Sequence, residues 1–210
     1  TPIYFQERGH LSFDPSIGQG QDSFVSDPKH PVPYTQAISF DYFQPYMTED
    51  QRFAATRPDV LVYQTEPLKD DLTLAGAIQA DLWVSTTGTD ADWIAKVIDV
   101  WPDDAKDPEN LPEGVHMGGY QQLVRGDIMR GKYRHSLETP EPFVPGHPTE
   151  VTYPLLDCFH TFRKGHRLMV QIQSSWFPLF DRNPQTFTNI FEAKPEAFKT
   201  LVNPACSHCV

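Results

Sequence analysis

Twenty prolines and twelve glycines cut this 210-residue chain into short pieces. Proline has no backbone N–H, and its ring collides with the preceding turn. It therefore suppresses helix interiors and central strands alike. Only residues 192–201 read as a short helix, and residues 127–134 as a single turn. Runs with strand character are numerous: 3–5, 11–13, 60–63, 72–78, 80–86, 93–101, 120–124, 149–155 and 167–174. Many short strands with turn residues between them predict an all-β sandwich or barrel.

Residues 158–184 hold the densest information. Leu168, Val170 and Ile172 share one face of an alternating strand. Lys164-Gly165 supplies the turn before it, because glycine accepts positive φ without steric cost. Cys158 to Pro184 thus reads as a hairpin followed by a loop rich in aromatic and polar groups. The first 55 residues are different. Their Pro- and Gly-rich stretches read as an extended segment that wraps a surface rather than forming a core. The predicted division is 1–55 as this segment, 56–200 as the sandwich, and 201–210 as an atypical tail.

Charge narrows the partners. Seventeen basic against 28 acidic residues give a formal net charge of -11. This argues against nucleic-acid binding, which needs a basic surface to displace counterions. No run approaches the roughly 18 apolar residues of a membrane helix, so no membrane partner is expected and the chain reads as soluble. The start at Thr1 has no signal-like pattern, and the missing Met reads as a fragment or processed chain.

Cys158 lies in an apolar strand and reads as a small buried hydrophobe. Cys206 and Cys209 form C-x-x-C beside His208, without the second ligand pair of a zinc site, and read as a frayed tail. Asp14, Ser16, Gly18 and Asp22 imitate a calcium loop, but Pro15 and the missing later Glu spoil it. No metal and no cofactor is expected.

Nine ordered blocks resemble one family. They include Ser26-Asp27-Pro28-Lys29-His30-Pro31-Val32-Pro33-Tyr34, Arg57-Pro58-Asp59-Val60-Leu61-Val62-Tyr63 and Leu82 through Trp93. Gly118 through Gly126 follows, and then Ser175-Trp176-Phe177-Pro178 and Asp181-Arg182-Asn183-Pro184. Over about residues 3–198 the chain resembles the C-terminal domain of bacterial X-Pro dipeptidyl-peptidase and cocaine-esterase type serine hydrolases. Among these it is most similar to α-amino acid ester hydrolases and glutaryl-cephalosporin acylases. The resemblance implies a galactose-binding-like jelly-roll β-sandwich packed beside an α/β-hydrolase domain that carries the Ser, Asp and His. It also implies a parent that is periplasmic or secreted. The family would carry a further apolar strand after residue 198, so the tail here leaves a sheet edge open to dimerisation or to pairing by the N-terminal segment.

The chain has ten serines, and none sits in a G-x-S-x-G elbow. A triad would have to combine Ser174 or Ser175, His160 or His166, and Asp157 or Asp181, with no evident oxyanion hole. Asp90 and Asp92 fit either a hard cation, a carboxylate pair, turn capping, or an ion pair with Arg182. Trp83 and Trp93 fall in strand patterns and read as core. Trp176, Phe177, Asp181, Arg182 and Asn183 read as an exposed patch facing the hydrolase domain. A homo-oligomer is the further partner considered. The alternative readings are a carbohydrate-binding module using exposed aromatics, and a hydrolase built on Asp or Glu or a metal.

Overall fold

The computed structural model describes residues 1–15, 20–38 and 44–206. Among these residues ten strands make two sheets: β1 (Tyr4–Gln6), β2 (His10–Ser12), β3 (Gln21–Ser26), β4 (Val60–Gln64), β5 (Leu72–Val84), β6 (Asp92–Val100), β7 (Gln121–Arg130), β8 (Thr149–Phe162), β9 (Arg167–Gln173) and β10 (Leu201–Cys206). One sheet runs β1-β2-β4-β9-β6-β7 and the other β3-β10-β5-β8. Neighbours are antiparallel except for β2 and β4. The all-β sandwich expected from the sequence is the fold observed. No described helix is long and apolar enough to cross a membrane.

The core forms where the period-2 faces meet. Trp93, Ala95 and Val97 of β6 and Leu168, Val170 and Ile172 of β9 pack onto Leu82, Val84, Val151, Tyr153 and Leu155 of the other sheet. The Tyr153 hydroxyl crosses between sheets to donate to the Trp93 carbonyl at 3.0 Å. All nine residues of β6 are buried, because its outer face is covered as well. Residues 27–38 and 44–58, with the short helix α1 (Arg52–Ala55), lie across that face as a strap. They contribute Val32, Tyr34 and Ala54 to small apolar clusters that include Val60 and Ile94. Gln51 N–H donates to the Gln121 carbonyl at 2.9 Å.

Several expectations change. The segment 1–55 does more than wrap: β1 and β2 join one sheet, β3 joins the other, and Leu11 and Phe24 enter the core. Runs 72–78 and 80–86 merge into one strand, β5, which ends at Val84 and has a register irregularity between Gly76 and Ile78. The residues flanking Lys164-Gly165 are not a hairpin, since β8 and β9 belong to different sheets and the turn carries the chain from one to the other. Gly165 does take positive φ there, at 86°. Residues 127–130 continue β7, and a 3-10 turn follows at Gly131–Tyr133. In place of a helix over 192–201 there are two 3-10 turns, Ile190–Glu192 and Pro195–Ala197.

The tail is corrected most. Residues 201–206 form β10, which pairs with β3 over six residues and with β5 at Ala205–Val84. No sheet edge is left vacant there. Pro204 is tolerated because the N–H and C=O of one strand residue point the same way. Its carbonyl accepts from Ser85 on the β5 side, so the missing N–H also falls on the sparsely paired side. Cys158 is buried, as its strand context implied. His208 and Cys209 of the C-x-x-C, and Ser16 and Gly18 of the calcium-like loop, lie outside the described residues. Asp22 accepts from the Tyr63 hydroxyl at 2.8 Å. Among the described residues no His, Cys, Asp or Glu group is arranged to hold a metal.

Candidate docking site

The loop that leaves β9 is pinned at nearly every step. The Ser175 hydroxyl accepts from Val32 N–H at 2.8 Å. Phe177 N–H donates to the Val32 carbonyl at 3.0 Å, and Tyr34 N–H to the Phe177 carbonyl at 2.9 Å. Arg182 Nη1 donates to the Pro28 carbonyl at 2.9 Å. Asn183 Nδ2 donates to Asp92 Oδ1 at 2.7 Å, and Asn183 Oδ1 accepts from Gln185 N–H at 2.7 Å. The strap therefore sets the position of this loop.

Trp176 is not an exposed contact. It is 4 % exposed, with Tyr46 edge-on at 6.0 Å and Phe180 stacked at 6.0 Å. Tyr34 and Tyr46 of the strap, 130 or more residues away in sequence, pack over it, which no local pattern announces. Phe177 stays half-buried at the rim. The Arg182 guanidinium carbon sits 5.3 Å from the Phe177 ring centroid and 5.6 Å from that of Phe198. Cation–π attraction at such distances holds the side chain between the two rings. Phe177, Asp181, Arg182, Ile190, Phe191 and Phe198 line a shallow open depression of about 280 Å³. Phe191 is 89 % exposed. The turn that carries it is capped by Asn189, whose Oδ1 accepts from Phe191 N–H at 3.2 Å. The sequence reading missed Ile190, Phe191 and Phe198. The available signal was Pro195 and the Asn-capped turn, which break any helical reading of that stretch and leave its apolar side chains outside the core.

Asp90 and Asp92 are buried and structural. Asp92 is 1 % exposed. It takes Arg130 in a bidentate pair, Nε to Oδ1 and Nη2 to Oδ2, both at 3.0 Å. Its partner is Arg130, its register neighbour on β7, not Arg182. Asp90 Oδ1 accepts from the backbone N–H of Ala91 at 3.0 Å and of Lys132 at 3.1 Å, the turn-capping role. Burial, then the nearby Asp92 charge, pushes the Asp90 carboxyl up to about 6, with Lys132 opposing. A carboxyl raised from 3.8 favours the fold below about pH 4 and loses that contribution as pH rises through 6. Asp90→Asn is expected to flatten the pH dependence of unfolding free energy between pH 4 and 6.5 by on the order of 2 kcal/mol. Urea titrations across that range measure it, and an unchanged slope contradicts it.

The components of a triad are scattered. Ser175 serves Val32, and the Ser174 hydroxyl accepts from Asn203 Nδ2 at 3.3 Å. His160 and His166 both turn to the buried Asp99, each at 2.8 Å, rather than to Asp157 or Asp181. Among the tryptophans, Trp93 and Trp176 are buried, Trp101 packs against His166, and Trp83, expected in the core, is half-buried on the face of β5 opposite Leu82 and Val84, so no shared tryptophan platform for a sugar forms. An aromatic depression flanked by one guanidinium has the make-up of a recognition surface.

Residues 1–202 match the family model of the X-Pro dipeptidyl-peptidase C-terminal non-catalytic domain. The chain is 34% identical over 195 residues to cocaine esterase of Rhodococcus sp. (strain MB1 Bresler), covering 93% of this chain and 31% of that protein. A crystal structure of an aminopeptidase from a marine sediment archaeon, Thaumarchaeota archaeon, superposes with TM-score 0.89 at 47% identity. It covers 98% of this chain and 34% of its own. An α-amino acid ester hydrolase gives TM-score 0.90 at 43% identity, covering 97% of this chain and 33% of that one. The chain thus spans about a third of the length of these relatives.

Proposed function

Since this chain belongs to the family of X-Pro dipeptidyl-peptidase C-terminal non-catalytic domains, we propose that it is the accessory sandwich of an acyl hydrolase. Its partner is an α/β-hydrolase domain whose Ser nucleophile cleaves an ester, an amide or an X-Pro dipeptide bond. The single observation that carries this reading is the span: nearly all of the chain matches about a third of each enzyme-length relative. The Phe177–Arg182–Phe191–Phe198 depression is the surface on which that domain docks. It is apolar, aromatic and partly exposed, with an anchored arginine, the composition of an interface hot spot. Docking there would make the sandwich one wall of the substrate cleft and a contributor to oligomer contacts.

A turnover assay tests the division of labour. With aminoacyl p-nitroanilides and p-nitrophenyl esters, the 210-residue chain alone is expected to give no rate above background. The hydrolase segment of its parent polypeptide is expected to gain activity when the chain is added. Turnover by the chain alone, or a hydrolase segment indifferent to it, contradicts the reading.

A further inference from the structure

Lys96 lies on the outer face of β6 and is 0% exposed, beneath the strap. A lone lysine in a strand of Trp, Ile, Ala and Val demands an explanation, since burial strips an ammonium of its water. Its Nζ donates to Gln51 Oε1 at 3.2 Å and stands 4.9 Å from the Trp176 ring centroid. Gln171 is its register neighbour on β9. On β7 the facing residue is Gly126, where a Cβ would lie 3.2 Å from both Lys96 Cγ and Trp176 Cη2, so glycine leaves room for the stem and the indole.

Around this amine the polar groups are poorly satisfied. Among the described residues, Gln171 Oε1, Gln173 Oε1, Glu49 Oε2 and Trp176 Nε1 are buried without hydrogen-bond partners. The strap faces Lys96 with Glu49 as its charged group, with Gln51, and with the phenols of Tyr34 and Tyr46 packed about Trp176. The β9 strand offers two neutral amides, β7 a glycine and the loop an indole. Burial brings the Lys96 amine down to about 7, and Glu49 only partly opposes it.

The same strap residues hold the docking loop. Val32 and Tyr34 bond to Ser175 and Phe177, and Tyr46 packs edge-on against Trp176. We propose that Lys96 makes the strap a proton-sensitive brace of the docking loop, seated while the amine is neutral and released more readily while it is charged. This rests on the reading of that loop as the docking surface. It adds a control: the geometry of Phe177 and Arg182 follows the protonation of a residue on the sheet beneath.

The sign follows from linkage. Opening the strap returns Lys96 to water and to its ordinary value of 10.5, so opening takes up a proton wherever the seated amine is neutral. The opening constant therefore falls about tenfold per pH unit above roughly pH 7 and levels off below about pH 6.

Hydrogen exchange on the 210-residue chain, corrected for intrinsic rates, reads this directly. The amides of Val32, Tyr34, Gln51 and Phe177 are expected to be less protected than those of β5 and β8. Their protection should rise about tenfold per unit from pH 7 to 9. In Lys96→Met, and in Lys96→Gln should the first variant not fold, that slope disappears and protection at pH 7 rises. Strap amides as protected as β5 and β8, or a slope that persists in both variants, would overturn the proposal. Binding of a hydrolase segment does not enter this measurement, so a failed brace and a failed docking surface are told apart.

Discussion

Asp92→Ala is expected to lower the unfolding free energy by about 3–5 kcal/mol, the cost of breaking a buried ion pair from one side. Asp92 is 1 % exposed. Its two oxygens hold Arg130 and its Oδ1 also accepts from Asn183. Removing the carboxylate strands the Arg130 guanidinium against the sheet and cuts the anchor of Asn183. Arg130 Nη2 also donates to the Asp181 carbonyl at 2.8 Å, so the damage extends into the loop that presents Arg182. Replacing both partners, as in Asp92→Leu with Arg130→Met, is expected to recover much of the loss, because no charge is then left unpaired. Urea unfolding monitored by tryptophan fluorescence gives the comparison. A loss below about 1 kcal/mol for Asp92→Ala, or a double variant worse than the single one, contradicts the assignment.

Deletion of residues 201–210 is expected to abolish the cooperative unfolding transition. The β10 strand lies between β3 and β5. Asn203 is 0% and Ala205 2% exposed, and Asn203 Nδ2 reaches both the Ser174 hydroxyl and Gln185 Oε1. Without β10, β3 loses its hydrogen-bonded neighbour, and Phe24 loses the strand that holds it over Trp93, 6.3 Å away between ring centroids. Two strand edges and a section of the core would open at once. A chain ending at Cys206 keeps β10 and is expected to melt like the parent. Thermal unfolding by circular dichroism separates the two, and a normal transition in the longer deletion would show that β10 is dispensable.

These expectations show where local pattern ends. Runs such as 60–63, 93–101 and 167–174 were legible because β4, β6 and β9 are apolar enough to announce themselves. Ordered blocks such as Leu82 to Trp93 carried the family resemblance. The β10 strand was not legible, because Asn203 and Pro204 are poor strand residues in isolation. They fit only where Asn203 finds Ser174 and Gln185, and where Pro204 faces a gap in the ladder. The separation of β8 from β9 is likewise invisible locally, since a Lys-Gly turn serves a hairpin and an inter-sheet corner equally well. At the site, Phe177 and Arg182 do line the depression, but Trp176 and Asn183, expected on the surface, are both buried. The burial of Trp176 is the work of Tyr34 and Tyr46, far away in sequence. Lys96 could have been singled out as a charge inside an apolar strand.

The proposed role of this sandwich is to serve a hydrolase domain through its aromatic depression. Calorimetric titration of the 210-residue chain into the hydrolase segment of its parent tests it most directly. The wild-type chain is expected to bind. Phe191→Asp and Arg182→Glu are each expected to weaken binding by about 30-fold or more, as for residues worth at least 2 kcal/mol at an interface, with thermal unfolding unchanged in Phe191→Asp. Phe159→Asp is the control: Phe159 lies on β8 and is also 83% exposed, and it should bind like the parent. Undiminished binding by Phe191→Asp and Arg182→Glu would contradict the claim.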